Sequence, residues 1–144
     1  MVIGLIQWTF DICHSSHIDT FNFCKQYCDM LIIALNSDSL MQRHKNRIPV
    51  DTRENKKKVL ESLRQVECVV NIDDASPKQT LEDLNIDVFF CWDEYLEAHK
   101  DTIQRMKDRG KQVVITPRFW NSTSKIKSIL LQEAKDDLSN DIYA

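Results

Sequence analysis

Glycine is nearly missing from this chain, whose 144 residues include only Gly4 and Gly110. Glycine is the residue that takes up positive φ without strain and lets a ligand approach the backbone closely, so its scarcity bears on any site that would need such an approach. Long apolar runs are also missing. None nears the roughly 20 residues of a membrane-spanning helix, which argues against a helical span or a membrane partner. The opening stretch, Met1 to Trp8, has no basic residues ahead of its apolar ones, so a secretory signal is not expected. No Cys-x-x-Cys pair occurs among Cys13, Cys24, Cys28, Cys68 and Cys91. An odd count without a signal fits reduced thiols and a cytoplasmic location. The formal net charge of −3 speaks against general affinity for nucleic acid. The length suits one domain over residues 1–144, with an acidic C-terminal tail from about Glu133.

What is present alternates between two patterns. Val2 to Trp8 is a continuous apolar run, as expected of a strand buried on both faces of a parallel sheet. Met30 to Leu35, Cys68 to Ile72, Val88 to Trp92 and Gln112 to Thr116 read as four more strands. Between them, Ile18, Phe21, Cys24 and Cys28 recur at helical spacing to about Tyr27, which makes the two thiols small core residues. Asn36 to Val50 is polar and reads as loop. Asp51 with Glu54 forms an expected capping box for a helix to Arg64, its apolar side being Val59, Leu60 and Leu63. Ser76, Pro77 and Gln79 open a helix to Leu84. A helix is predicted from about Glu94 to Arg109 with Gly110 as its C-cap, and a last one from Ser122. Five strand–helix alternations without a linker predict an open, doubly wound, five-stranded parallel sheet of the α/β class. Ligands of such sheets sit beyond the carboxyl ends of the strands. Those ends carry Asp11 to His17, Asp93-Glu94 and Arg118 to Lys125.

His14-x-x-His17 sits where the first strand gives way to a helix. The plain reading is a polar pair that caps a turn, and zinc is a weaker contender because no third ligand has characteristic spacing. The functional reading is anion binding, since a helix N-terminus presents unpaired N–H groups and imidazoles add hydrogen bonds or charge. Arg118 with Ser122-Thr123-Ser124-Lys125 has the make-up of a second phosphate cradle, against the alternative of a well-capped helix beside a surface ion pair. A basic segment, Arg43 to Arg64, is either a solvated face or a patch for a small polyanion. Within it Lys56 and Arg64 share a helix side with Leu60, and Lys45 or its neighbours Arg43, His44 and Arg47 could reach a triphosphate. Trp8, Trp92 and Trp120 all fall at strand ends and crowd the mouth of the expected pocket, as packing or as stacking surfaces.

Thr9-Phe10-Asp11 with His14-Ser15-Ser16-His17, Arg64-Gln65-Val66, Asn85-Ile86-Asp87-Val88-Phe89, and Pro117-Arg118 with Ser122-Thr123-Ser124-Lys125-Ile126 resemble, in that order, the motifs of the small cytidylyltransferases, glycerol-3-phosphate cytidylyltransferases most closely. The similarity runs from Val2 to about Ile129. It implies a Rossmann-like nucleotidyltransferase fold and transfer of CMP from CTP, with Mg²⁺, to a small phosphorylated alcohol such as glycerol 3-phosphate, releasing pyrophosphate. By the same resemblance His14, His17, Arg118 and Lys56 would be catalytic. Thr9, Phe10, Asp11, Asp93, Ser122, Thr123 and Lys45 would hold the nucleotide, Arg64 would face the alcohol, and the chain would form a homodimer.

The sequence departs from that pattern wherever the family has glycine. Trp8 stands before the Thr-Phe-Asp motif, Ser16 inside the histidine motif, and Trp92-Asp93-Glu94-Tyr95 where the family reads Gly-Asp-Asp-Trp. The stretch from Arg118 to Ser122 is one residue short and lacks its glycine. An indole adds real volume to a pocket. The alternative expectation is therefore a catalytically degenerate protein that keeps the fold as a binding or interaction module.

Overall fold

The computed structural model describes residues 1–45, 49–119 and 122–139, with the side chains of 44, 45 and 139 outside the description. Five strands, β1 (Ile3–Trp8), β2 (Met30–Asn36), β3 (Cys68–Ile72), β4 (Val88–Cys91) and β5 (Gln112–Ile115), form one sheet. Its order is β3-β2-β1-β4-β5 and every pairing is parallel. The order reverses direction between β1 and β4, the switch point of a doubly wound sheet.

The central strand explains the two layers. Gly4, Leu5 and Ile6 of β1 are buried, and successive side chains of a strand point to opposite faces. Ile6 joins Phe10, Phe21, Leu31 and Phe90 on one face. Leu5 joins Ile32, Ala34, Phe89 and Met106 on the other. Helices cover both: α1 (Ser15–Cys24), α2 (Asp38–Lys45), α3 (Arg53–Glu61), α4 (Lys78–Asp83), α5 (Lys100–Asp108) and α6 (Thr123–Ser139).

Several expected boundaries shift for local reasons. Asn36 to Val50 is not all loop, because the Ser37 hydroxyl caps α2 by accepting from the Leu40 N–H (3.1 Å) and Leu40 and Met41 are buried. Helix α1 starts earlier than the apolar spacing suggests, since His14 is its N-cap. The cap of α3 is Thr52, whose hydroxyl accepts from the Asn55 N–H, and the helix stops at Glu61 rather than Arg64. The helix expected from Glu94 is broken into a 3₁₀ turn, Asp93–Tyr95, and α5, with hydrogen-bonded turns between them. At the break, His99 packs edge-on against Phe89, centroids 5.7 Å apart. Gly110 does close α5, at φ +70°.

Candidate functional site

The chain leaves β1 in an unusual conformation. Phe10 and Ile12 have φ of 49° and 54°, a region that costs non-glycine residues free energy and that clusters at functional sites. Burial of the Phe10 ring holds the turn in place, with contacts to His17 (5.1 Å, edge-on) and Phe21 (5.3 Å). What Phe10 can offer a ligand is therefore backbone, not its ring.

The turn delivers the two histidines as a stacked pair, ring centroids 3.8 Å apart. The His14 N–H donates to His17 Nδ1 (3.3 Å). An imidazole that accepts at Nδ1 carries its proton on Nε2 when neutral, so His17 is set up as an Nε2–H donor. His17 is 8% exposed. His14 Nδ1 is buried without a hydrogen-bond partner, and burial pushes the His14 imidazole below its ordinary pKa. His14 is therefore neutral at pH 7 and acts by hydrogen bonding. Ser16 lies in the first turn of α1 at helical φ, so a side chain there costs the backbone nothing.

Asp11 fastens this turn to two distant segments. Its carboxylate accepts from the Val50 N–H (3.0 Å), the Asp51 N–H (3.1 Å) and Lys127 Nζ (3.0 Å). The Thr123 hydroxyl donates to the Asp11 carbonyl. Burial pushes the Asp11 carboxyl up, but the bonds from Val50, Lys127 and Asp51 outweigh it and hold it below the usual carboxylate range. Asp11 is thus a joint between β1, the start of α3 and α6, rather than a free ligand for a nucleotide.

Across the cleft, Arg118 pairs with Glu94, both side chains about half exposed. An exposed ion pair contributes little and exchanges readily. The Ser122 hydroxyl accepts from the Lys125 N–H (3.0 Å) and caps α6. His14, His17, Arg118, Ser122 and Thr123 all line one hollow of about 240 Å³ at the carboxyl ends of β1, β4 and β5. Thr9 and Asp11 reach it as well. The other side is aromatic. Trp8 meets Trp92 at 5.4 Å and Tyr95 at 4.8 Å, and the three rings narrow a hollow that is smaller than the roughly 300–1,000 Å³ of common ligand pockets.

Other expected site residues stand elsewhere. Lys56 is 3% exposed, with Nζ 3.7 Å from Asp38 Oδ1, and does not line the hollow. Burial pulls its pKa down, against the pull of Asp38, Asp11 and Asp51. Arg64 is exposed in the loop beyond α3, and Asp93 is exposed while its neighbours Glu94 and Tyr95 line the hollow. The side chains of His44 and Lys45, and Arg47 and Trp120 entirely, lie outside the described residues. Two contributors were missed. Thr20 also lines the hollow, and its place one helical turn after His17 was the available signal. Lys127 stands four residues after Thr123, the same face of α6.

A model of the family described as cytidylyltransferase-like matches residues 8–134. Among curated relatives, the Bifunctional protein HldE of Hyphomonas neptunium is 30% identical over 116 residues, covering 80% of this chain and 24% of that protein. The Bifunctional protein HldE of Granulibacter bethesdensis is 33% identical over 98 residues, covering 67% and 20%. The chain thus spans about a quarter of the length of these relatives. Among solved structures, a lipopolysaccharide core biosynthesis protein from Thermoplasma volcanium GSS1 superposes with TM-score 0.71 at 19% identity, over 83% of this chain and 99% of that one. A protein of unknown function from Archaeoglobus fulgidus does so with TM-score 0.64 at 17% identity, over 85% and 94%. Both share the fold.

Proposed function

The chain belongs to the cytidylyltransferase-like family, and from that premise we propose that it is a nucleotidyltransferase that moves CMP from CTP to a small phosphorylated alcohol. The observation that carries the reading is the meeting of His14, His17, Arg118 and the α6 hydroxyls around one hollow at the sheet's switch point. A phosphate oxygen of the acceptor attacks the α-phosphorus and forms a new P–O bond. The bond to the bridging oxygen breaks, and pyrophosphate leaves with its electron pair. Catalysis of this kind consists of positioning and of stabilising charge on the phosphoryl oxygens. His17 Nε2–H and the neutral His14 ring would donate to that charge. Arg118 would leave Glu94 for the outgoing phosphates, and the Ser122 and Thr123 end of α6 adds the helix dipole.

Among the described residues no three His, Cys, Asp or Glu converge on a metal position. Mg²⁺ is commonly held by substrate phosphates and water with one or two carboxylates, so the residues present fit it. Glu94, once released by Arg118, would share its coordination shell, and the ion would neutralise part of the triphosphate charge. Among the described residues no helix is long and apolar enough to cross a membrane. Five free thiols support a cytoplasmic setting, and the homodimer is proposed from family resemblance alone.

Calorimetric titration against CTP, ATP, GTP and UTP with Mg²⁺, paired with a pyrophosphate-release assay, tests the reading. CTP should bind, and release should depend on an added phospho-alcohol. Absence of binding for all four at millimolar concentration sinks it. The Trp8–Trp92–Tyr95 cluster favours a second reading in that event, a non-catalytic binding module whose nucleotide space is filled by its own rings.

A further inference from the structure

The hollow that holds the histidines is poor in positive charge for a place that receives phosphate. Among the described residues its lining carries one guanidinium, Arg118, against two carboxylates, Asp11 and Glu94. Lys127, bound to Asp11, does not line it, and neither does Lys56. Much of what an anionic oxygen meets there must therefore come from neutral donors. Hydroxyls are the commonest such group in the lining, from Thr9, Ser16, Thr20, Ser122, Thr123 and Ser124.

Two of these hydroxyls give their protons to the backbone. Thr20 Oγ1 donates to the Ser16 carbonyl (2.8 Å), and the Thr123 hydroxyl to the Asp11 carbonyl. Thr9 Oγ1 accepts from Asn36 Nδ2 (3.4 Å), and Ser122 and Ser124 are exposed at the rim. Ser16 is 7% exposed and stands second in α1, between His14 and His17 in the chain. A hydroxyl turns its proton to whatever acceptor arrives. The first N–H groups of a helix draw an anion toward that turn. A glycine at this point would let a phosphoryl oxygen reach the backbone itself, whereas with serine the oxygen meets Oγ first. The positive φ values of the turn fall on Phe10 and Ile12 and not on Ser16, so the backbone has no need of glycine here.

We infer that the Ser16 hydroxyl is a third donor of the histidine turn, giving its hydrogen bond to a non-bridging oxygen of the reacting phosphorus where a glycine would offer bare backbone. The identity of that phosphorus rests on the transferase reading; the donor itself rests on the lining of the hollow. Ser16 forms no covalent bond. It stabilises charge on the phosphoryl oxygens while the new P–O bond forms and the bond to pyrophosphate breaks.

Ser16→Ala removes the hydroxyl and keeps Cβ, and alanine suits a helix at least as well, so circular dichroism and melting temperature should not move. With CTP, Mg²⁺ and glycerol 3-phosphate, kcat for pyrophosphate release should fall about 10²-fold, and KM for CTP should change far less. Ser16→Gly should lose as much. Unchanged kcat in Ser16→Ala overturns the assignment, and so does a glycine variant as fast as wild type, which would make the serine mere filling. The two diastereomers of CTP with sulfur on the α-phosphorus separate a donor from packing, because sulfur accepts hydrogen bonds weakly. Wild type should discriminate between them, and Ser16→Ala should shrink the ratio of rates about tenfold; an equal ratio in both proteins overturns the donor role. A further readout needs no turnover. Orthovanadate, which takes up five-coordinate geometry, should bind wild type about tenfold or more tightly than Ser16→Ala in calorimetry. Weakened vanadate binding without pyrophosphate release under any condition keeps the donor and removes the transferase reading. Release with equal vanadate affinity and equal kcat does the reverse, and a wild type that neither binds vanadate nor releases pyrophosphate overturns both.

Discussion

At Gly4 the central strand has no room for even a methyl group. A Cβ built there would lie 2.6 Å from Phe90 Cε2 and 2.9 Å from Cys28 Sγ. Overpacking of this kind typically costs ~1–3 kcal/mol, so Gly4→Ala should lower stability by that amount in urea unfolding at constant m. An unaltered midpoint would show that Phe90 and Cys28 yield freely. The same strand ends in Trp8, where the opposite holds and a large ring has taken up space. The stacked histidines carry the residue-scale prediction for activity. Replacing His17 with alanine should cost about 10²–10³-fold in pyrophosphate release, the typical loss of one donor to a developing oxyanion. Circular dichroism should stay as in wild type, and a smaller loss in activity would assign His17 to packing. At this scale the sequence was informative about residue type and poor about direction. It flagged Thr9, Asp11 and Lys56, but only coordinates show that Asp11 is spent on Val50, Asp51 and Lys127 and that Lys56 turns toward Asp38.

Among the elements, α6 is tied to the turn after β1 at two points, the Thr123 hydroxyl and the Lys127 ammonium, both on Asp11. The Lys127–Asp11 pair, with Asp11 3% exposed, ties its second turn to the end of β1. Lys127→Met should loosen the Ser122–Thr123 end of the helix, read as faster amide hydrogen exchange over residues 123–126, with raised KM for CTP. Lys127→Arg should restore part of both. The Asp11 carboxyl sits lower in the folded chain than in the unfolded one. The stabilisation it brings is thus complete above the unfolded value near 3.8 and lost as pH falls through the lowered folded value. Lys127→Met should flatten the acid limb of a stability-versus-pH curve, and identical limbs would count against the joint. Strands were the legible elements, because runs such as Leu31 to Leu35 are apolar without interruption. Helix α2 was not, because its cap Ser37 and its buried pair Leu40–Met41 are too few to make a periodic pattern. The break at His99 depends on a contact with Phe89 that no local sequence window contains.

For the molecule as a whole, parallel order and doubly wound topology followed from alternation alone, and the order β3-β2-β1-β4-β5 puts the switch point beside the histidines. The strand ends already put Trp8 and Trp92 at the mouth of the cleft; what alternation could not convey was that Tyr95 would join them, because the 3₁₀ turn that carries it stands where a regular helix was expected. Binding of CTP with Mg²⁺ to the folded state alone should raise the melting temperature. At a hundredfold excess over Kd the gain is ~2.7 kcal/mol, or about 5–10 °C for a chain of this size. No shift at that concentration would mean that the rings leave no room.

Asp11 draws its partners from 39, 40 and 116 positions further along the chain. A ribosome making this protein releases β1 to β4 well before Lys127 emerges, and β5 shortly before it. The layers on either side of β1 can collapse during synthesis, whereas the mouth of the cleft is assembled last, after the final helix is free to swing back. A nascent chain arrested before α6 would therefore hold its hydrophobic layers and lack its ligand-binding end.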